Sequence, residues 1–289
     1  MKRFFVIGSP RSGTTLLRLM LNKNQRLSVP PEAGFLVWLY TKYKDFSYSE
    51  NEVFLFVRDL LVTSKIEHWG ISDKELANYI ISAKPASYSE LMDVVYLFYS
   101  KVKLIKNVEV FGDKNNFYLT HIELLHSLYN DAKFIHIIRD GRSVAVSYMD
   151  IMKKNINFKY APKLPVDISD IANEWVSNIN KVESSFNEIN SNRYITVRFE
   201  DLILEPEKIL KKICVFLDVK YDNEMLNYYQ TTGDLGLEPS SFNKWKSKNL
   251  LPLQKDEVFK YKNLEEVSLQ IFNDKAADIL DKYGYMGLR

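Results

Sequence analysis

Cysteine is nearly absent: the 289 residues include one, Cys214, inside the apolar run KILKKICVFLDV. A disulfide framework within the chain is thereby excluded, and the setting points to a buried thiol. Long hydrophobic runs are missing as well. No stretch reaches the ~18 apolar residues of a membrane span. The run FFVIG ends at Gly8-Ser9-Pro10-Arg11, too soon for a signal-peptide core. A cytoplasmic chain is the expectation. Excess charge of one sign is also lacking, since 39 Lys and Arg against 37 Asp and Glu leave a net charge of +2. That balance argues against a nucleic-acid coat or a generally basic membrane surface, so any anion site must come from local placement of Lys and Arg. Repeats, low-complexity tracts and a convincing interdomain linker are absent too, and one α/β domain over residues 1–289 is expected.

What is present is apolar material in an alternating pattern. Hydrophobic residues make up 46%, enough for a sizeable core, and the 18 Tyr and 17 Phe read first as core composition. Phe4 to Ile7 suits a buried parallel strand. Leu16, Leu17, Leu19, Met20 and Leu21 follow at helical spacing. Ser49 with Glu52, Ser72 with Glu75, and Ser87 with Glu90 are capping boxes that announce helices. They fall in a mostly helical stretch, about residues 35–106, expected as an insertion over the sheet on the acceptor side. Within it, AGFLVWLYTKYKDF has the rings to line an apolar or sugar-binding cleft, with an amphipathic helix as the plainer reading. Beyond it come the strand VEVFGDK, a helical YLTHIELLHSLY, the strand AKFIHIIRD and a helix from GRSVAVSYM. A helix over about Ile168–Ile189, the strand RYITVRFE, a helix opened by Pro206 and a helical tail from Leu264 to Tyr283 complete the pattern. Strand and helix alternate throughout, which implies a doubly wound parallel α/β sheet with helices on both faces.

The chemistry is concentrated in Gly8-Ser9-Pro10-Arg11-Ser12-Gly13-Thr14-Thr15, between the first strand and its helix. Glycines let the backbone approach an anion, successive N–H groups point inward, and the helix N-terminus adds partial positive charge. As a nucleoside-triphosphate loop the frame is Gly8-x-x-x-x-Gly13-x-Thr15, but Thr14 stands where lysine is required and the cation has moved inward to Arg11. Kinases and ATPases use that lysine on the transferring phosphates. A second anion motif ends the strand FIHII: Arg139-Asp140-Gly141-Arg142-Ser143, with Ser147 eight residues after Arg139. An arginine fork, helix N-terminal donors and a serine hydroxyl together suit one phosphate.

Gly-x-Pro-Arg-Ser-Gly-Thr-Thr-Leu resembles the 5′-phosphosulfate loop of sulfotransferases that use 3′-phosphoadenosine-5′-phosphosulfate (PAPS), and RDGRSVAVSY resembles their 3′-phosphate motif. The likeness is to the branch containing the tyrosylprotein sulfotransferases and many bacterial enzymes, and it covers residues 3–32 and about 108–218. It implies a P-loop fold and sulfuryl transfer from PAPS to an acceptor hydroxyl, releasing 3′-phosphoadenosine-5′-phosphate (PAP). It implies that Pro10, Arg11, Ser12, Gly13, Thr14 and Thr15 hold the 5′-phosphosulfate, and that Arg139 and Ser147 hold the 3′-phosphate. Lys114, in FGDKNNFY, would stabilise charge near the sulfuryl group. Glu32, after Pro30-Pro31, would be the base. The cytosolic branch uses a histidine two residues after its lysine, where this chain has Asn116; His121, His126 and His136 are read as structural. Phe199 stands where the family often has tyrosine near the adenine, keeping a ring and losing a hydroxyl. In SSFNKWKSKNL, Ser240, Ser241, Lys244 and Lys246 are candidates to cover the nucleotide.

No residue cluster has metal-ligand spacing, and fixed cations are expected to serve without a metal. The acceptor is left open among a sugar, a lipid headgroup, a phenol and a peptide tyrosine. Two rival readings stand beside transfer: a magnesium-dependent kinase or NTPase using Asp140 or Asp113, and a non-catalytic nucleotide-binding protein.

Overall fold

Short apolar runs at Lys2–Ile7 (β1), Leu27–Ser28 (β2), Val110–Lys114 (β3), Lys133–Ile138 (β4) and Tyr194–Arg198 (β5) pair in parallel as one sheet, in the order β2-β3-β1-β4-β5. The structure, a computed structural model, describes residues 1–104, 107–154, 159–230 and 251–287. From β1 the chain runs to one edge, returns to β3, and then builds β4 and β5 on the other side. Val6 pairs with Lys114 and Ile7 with His136. The carboxyl ends of β3, β1 and β4 therefore converge where the strand order reverses, the usual ligand position in such sheets.

Period-two alternation divides the core. Phe4 and Val6 face helices Thr14–Lys23 (α1) and Pro206–Leu217 (α11) through Leu17, Met20, Leu210 and Ile213. Phe5 and Ile7 face the other way, into a cluster with Phe35, Leu91, Tyr96 and Phe186. Both faces are buried, so these strands are nearly continuous apolar runs. Cys214 lies wholly inside, and burial pushes its thiol up to about 11.

The expected insertion is a helical layer: Phe35–Trp38 (α2), Tyr40–Tyr43 (α3), Glu50–Leu61 (α4), Asp73–Ala83 (α5) and Tyr88–Tyr99 (α6). All three capping boxes form, with Ser49, Ser72 and Ser87 accepting from the N–H of Glu52, Glu75 and Glu90. AGFLVWLYTKYKDF breaks into α2 and α3, whose Phe35, Leu36, Val37 and Tyr43 are buried in the core. None of its side chains lines the cleft described below.

The remaining helices are Ile122–Leu128 (α7), Gly141–Lys153 (α8), Ile168–Asn187 (α9), Phe199–Leu204 (α10), α11 and Glu266–Lys282 (α12). The last is followed by Gly284 at φ 69. YLTHIELLHSLY is not one helix. Asn115 caps a 3-10 turn over Asn116–Thr120, and the chain restarts as α7 with His121 at its N-cap position. Several elements have no counterpart in the sequence pattern: the two-residue β2, α10, which takes over at Phe199 inside the expected strand RYITVRFE, and the 3-10 segments Asn223–Gln230 and Lys255–Asn263, the latter burying Val258 and Tyr261. Among the described residues, no helix is long and apolar enough to cross a membrane.

Candidate active site

The loop after β1 is shaped by two residues in the left-handed region, Arg11 at φ 68 and Gly13 at φ 93. Gly13 is the N-cap of α1 and brings no side chain to the first-turn N–H groups, which leaves them available to an anion. Only glycine fits at this position. A Cβ there would stand 2.4 Å from the Phe199 ring. Pro10, Arg11, Gly13, Thr14 and Thr15 line a cleft at the carboxyl end of the sheet. Thr14, in the place of a triphosphate-loop lysine, donates through Oγ1 to Asn116 Oδ1 at 3.1 Å. Ser12 is buried beneath the loop, and its Oγ has no hydrogen-bond partner among the described residues.

Arg139 follows the last residue of β4 and reaches the same cleft. Its guanidinium lies 4.3 Å from the Phe199 ring centroid and donates to Arg11 O at 3.2 Å. It also donates to the backbone O and to Oε2 of Glu257, at 2.8 and 2.9 Å. Arg139 Nε, like Ser12 Oγ, is buried without a partner among the described residues. Buried donors in this state suit a polyanion that would satisfy them. Arg11 joins the two motifs, because its Nε donates to Ser147 Oγ at 3.0 Å. Burial, and then the charge of Arg139, press the Arg11 guanidinium down to about 10. Ser147 lines a neighbouring groove that shares Arg11 and Glu257 with the main cleft.

Glu32 enters from the side. On α1, Asn22 Oδ1 accepts from Val29 N at 2.9 Å and Arg18 donates to Val29 O at 3.3 Å, which fixes the chain just before Pro30-Pro31. The insertion ties the same loop down, with Trp69 Nε1 donating to Pro31 O at 2.8 Å. The Glu32 carboxylate pairs with two ammonium groups: Lys114 Nζ 2.6 Å from Oε2, and Lys65 Nζ on Oε1. Lys114 is the final residue of β3 and 2% exposed, so its stem is fixed by the sheet. Lys65 stands at φ 71, a strained setting for a long side chain, just before the 3-10 turn Ile66–Trp69.

Of the residues singled out from sequence, Glu32, Lys114, Arg139 and Phe199 therefore share the cleft with Pro10, Arg11, Gly13, Thr14 and Thr15. Ser12 lies just beneath, and Ser147 to one side. Ser240, Ser241, Lys244 and Lys246 lie outside the described residues. Several cleft residues carry no signal in the sequence, Lys65, Tyr160 and Glu257 among them. Lys65 and Tyr160 carried no motif, and Glu257 sits in a segment without apolar period. Asn116 was marked only as the place of a missing histidine.

The other titratable groups nearby are structural. Asp140 Oδ1 and Oδ2 accept from Arg142, while Asp140 N donates to Glu200 Oε1 at 3.0 Å. Asp113 is a buried residue of β3, and its Oδ2 accepts from Tyr118 at 2.6 Å and from Tyr96. Neither carboxylate lines the cleft, which removes support from both as partners of a nucleotide-bound cation. None of His121, His126 and His136 lines it either, and burial pushes His136 down to about 4.

The sequence model described as "Sulfotransferase family" matches residues 3–223. Protein-tyrosine sulfotransferase A of Caenorhabditis elegans is 23% identical over 282 residues, covering 97% of this chain and 66% of the relative. The protein-tyrosine sulfotransferase of Drosophila melanogaster is 25% identical over 289 residues, covering 97% of this chain and 50% of the relative. The chain thus spans about half to two thirds of the length of these curated relatives. Among solved structures, the sulfotransferase domain from the Synechococcus PCC 7002 olefin synthase has a TM-score of 0.61 at 20% identity, covering 95% of this chain and 94% of that domain. The sulfotransferase domain from the curacin biosynthetic pathway has a TM-score of 0.62 at 20% identity, covering 96% and 98%. These structural likenesses establish a shared fold, and the match over residues 3–223 goes further: the chain belongs to the sulfotransferase family.

Proposed function

We propose that this cleft moves a sulfuryl group from PAPS to an acceptor hydroxyl and releases PAP. The observation that carries the reading is the Glu32 carboxylate 2.6 Å from the Lys114 ammonium, in the same cleft as Arg11 and the open N-terminus of α1. A base and a cation side by side, facing an anion cradle, are what transfer to a hydroxyl needs.

The donor supplies the sulfuryl group and a phosphate as leaving group. The bond from sulfur to the phosphate oxygen breaks, a bond from sulfur to the acceptor oxygen forms, and the hydroxyl proton passes to Glu32. Arg11 and the first-turn N–H groups of α1 neutralise the 5′-side anion, and Arg139 neutralises the 3′-phosphate. Lys114 turns from Glu32 to the sulfuryl oxygens as the acceptor enters. Gly13 permits close backbone approach, and Phe199 offers a ring face to the base while backing Arg139. Fixed cations replace a metal here. The helical insertion forms the acceptor side of a single domain, a reading supported by its Lys65, which lines the cleft and pairs with Glu32.

Among acceptors, a tyrosine phenol comes first, because the curated relatives are named as protein-tyrosine sulfotransferases. The test is PAP formation from PAPS with a tyrosine peptide, a simple phenol or a monosaccharide in separate reactions. Acceptor-dependent PAP that is lost in Lys114→Met supports transfer. PAP formed at the same rate with and without every acceptor counts against it.

A further inference from the structure

Arg139 has a charge partner already. Its side chain is 5% exposed, and its Nη2 donates to both the carboxylate and the backbone oxygen of Glu257. A buried guanidinium stripped of counter-charge is costly, so some anion is required there whenever no ligand provides one. Glu257 is anchored for that task by its own segment. In Lys255–Asn263, Val258 is buried and Tyr261 N donates to Ser143 Oγ on α8 at 3.1 Å. The Glu257 carboxylate also lies close enough to Arg11 to favour its charged form. One acid thus serves both cations that the donor's anionic groups would use.

Glu257 also forms part of the wall between two depressions, the main cleft and a groove bordered by Lys153, Lys154, Lys260 and Lys262. The groove on the other side of Glu257 is lined by these four lysines together with Asp150 and Asp256. Lys260 already pairs with an acid there, Asp150, at 2.8 Å.

We infer that Glu257 is the exchange partner of Arg139: its carboxylate occupies the guanidinium in the nucleotide-free protein, yields it to the donor's 3′-phosphate, and takes it back as PAP leaves. This assignment rests on the sulfuryl-transfer reading and gives Glu257 a part in product release. Each binding event breaks one ion pair to make another, so the 3′-phosphate adds less to affinity than a bare arginine would give. Departure of PAP never leaves Arg139 unpaired.

The test compares PAP with adenosine 5′-phosphate by calorimetry in the unaltered protein and in Glu257→Gln, which keeps the shape and drops the charge. The affinity ratio of the two nucleotides should widen by about tenfold in the variant, the lower end of what a charged hydrogen-bond partner contributes. PAP should also dissociate more slowly in a stopped-flow displacement. In an Arg139→Ala background the same change should leave the ratio unaltered, which separates partner exchange from a general loss of negative charge. Glu257→Ala should give the same sign. A ratio that stays constant or narrows in Glu257→Gln, while the unaltered protein binds PAP, overturns the exchange alone. Failure of the unaltered protein to bind PAP overturns the transfer reading and the exchange with it.

Discussion

Lys114 Nζ stands 2.6 Å from Glu32 Oε2, where the last residue of a buried strand meets a loop tied down by Trp69 from the insertion. Neither partner's backbone has freedom to drift, so the acid and the cation meet at a fixed point on the cleft wall. Glu32→Gln should leave PAP affinity within about threefold and lower turnover by about tenfold or more, the scale of a lost general base. Steady-state kinetics at saturating acceptor check this, and unchanged turnover would remove Glu32 from the reaction.

Arg139 is backed by Phe199 and aimed into the cleft, with a buried Nε that has no partner among the described residues. Arg139→Ala should weaken PAP by about tenfold or more and adenosine 5′-phosphate by much less. Equal weakening of the two ligands in parallel titrations would detach Arg139 from the 3′-phosphate.

Gly13 combines φ 93 with a site where a Cβ would meet the Phe199 ring at 2.4 Å. Gly13→Ala should cost about 2–3 kcal/mol in urea unfolding, from backbone strain and overpacking together, and should abolish measurable PAP binding. Adding Phe199→Ala should relieve the steric part and leave the backbone part. A Gly13→Ala protein as stable as the parent would contradict this geometry.

Glu200 accepts from Asp140 N and from the Tyr285 hydroxyl, and so steadies the turn that carries Arg139. Burial pushes its carboxyl up from 4.5 to about 7. The folded protein therefore retains this proton to about pH 7, whereas the unfolded chain releases it near 4.5. The stability Glu200 contributes is present in full below the lower value and is lost as pH rises through the upper one. The loss is about 3 kcal/mol at roughly 1.4 kcal/mol per pH unit. His136, pushed down to about 4, acts oppositely and loses stability as pH falls from 6.5, so the informative quantity is a difference between variants. Relative to the unaltered protein, Glu200→Gln should gain about 3 kcal/mol between about pH 4.5 and pH 8 in urea unfolding. A difference that does not change with pH would contradict a buried, proton-retaining Glu200.

Much of this was legible in the sequence because the relevant signals are local. Strand, loop and helix around Gly8 to Leu21 are adjacent in the chain, and Arg139 to Ser147 is likewise one strand end and one helix start. The three serine caps needed only four residues each. Glu32 and Lys114 were picked out through family resemblance, and nothing local predicted that they touch across 82 positions. Lys65 and Glu257 were invisible for a physical reason: each is an ordinary charged residue until the tertiary fold brings it to a buried partner. The apolar period around His121 reads as one helix because it does not register the non-helical backbone at His121 itself, φ -134 and ψ 20, which separates the 3-10 turn from α7. The two-residue β2 is too short to carry a period at all.

The donor site is the central claim, and calorimetric titration with PAP in EDTA tests it most directly, alongside ATP with and without magnesium. The account predicts tight PAP binding in the chelator and weak ATP binding in both conditions. Magnesium-dependent ATP binding with no response to PAP would contradict it and point to nucleoside-triphosphate chemistry instead.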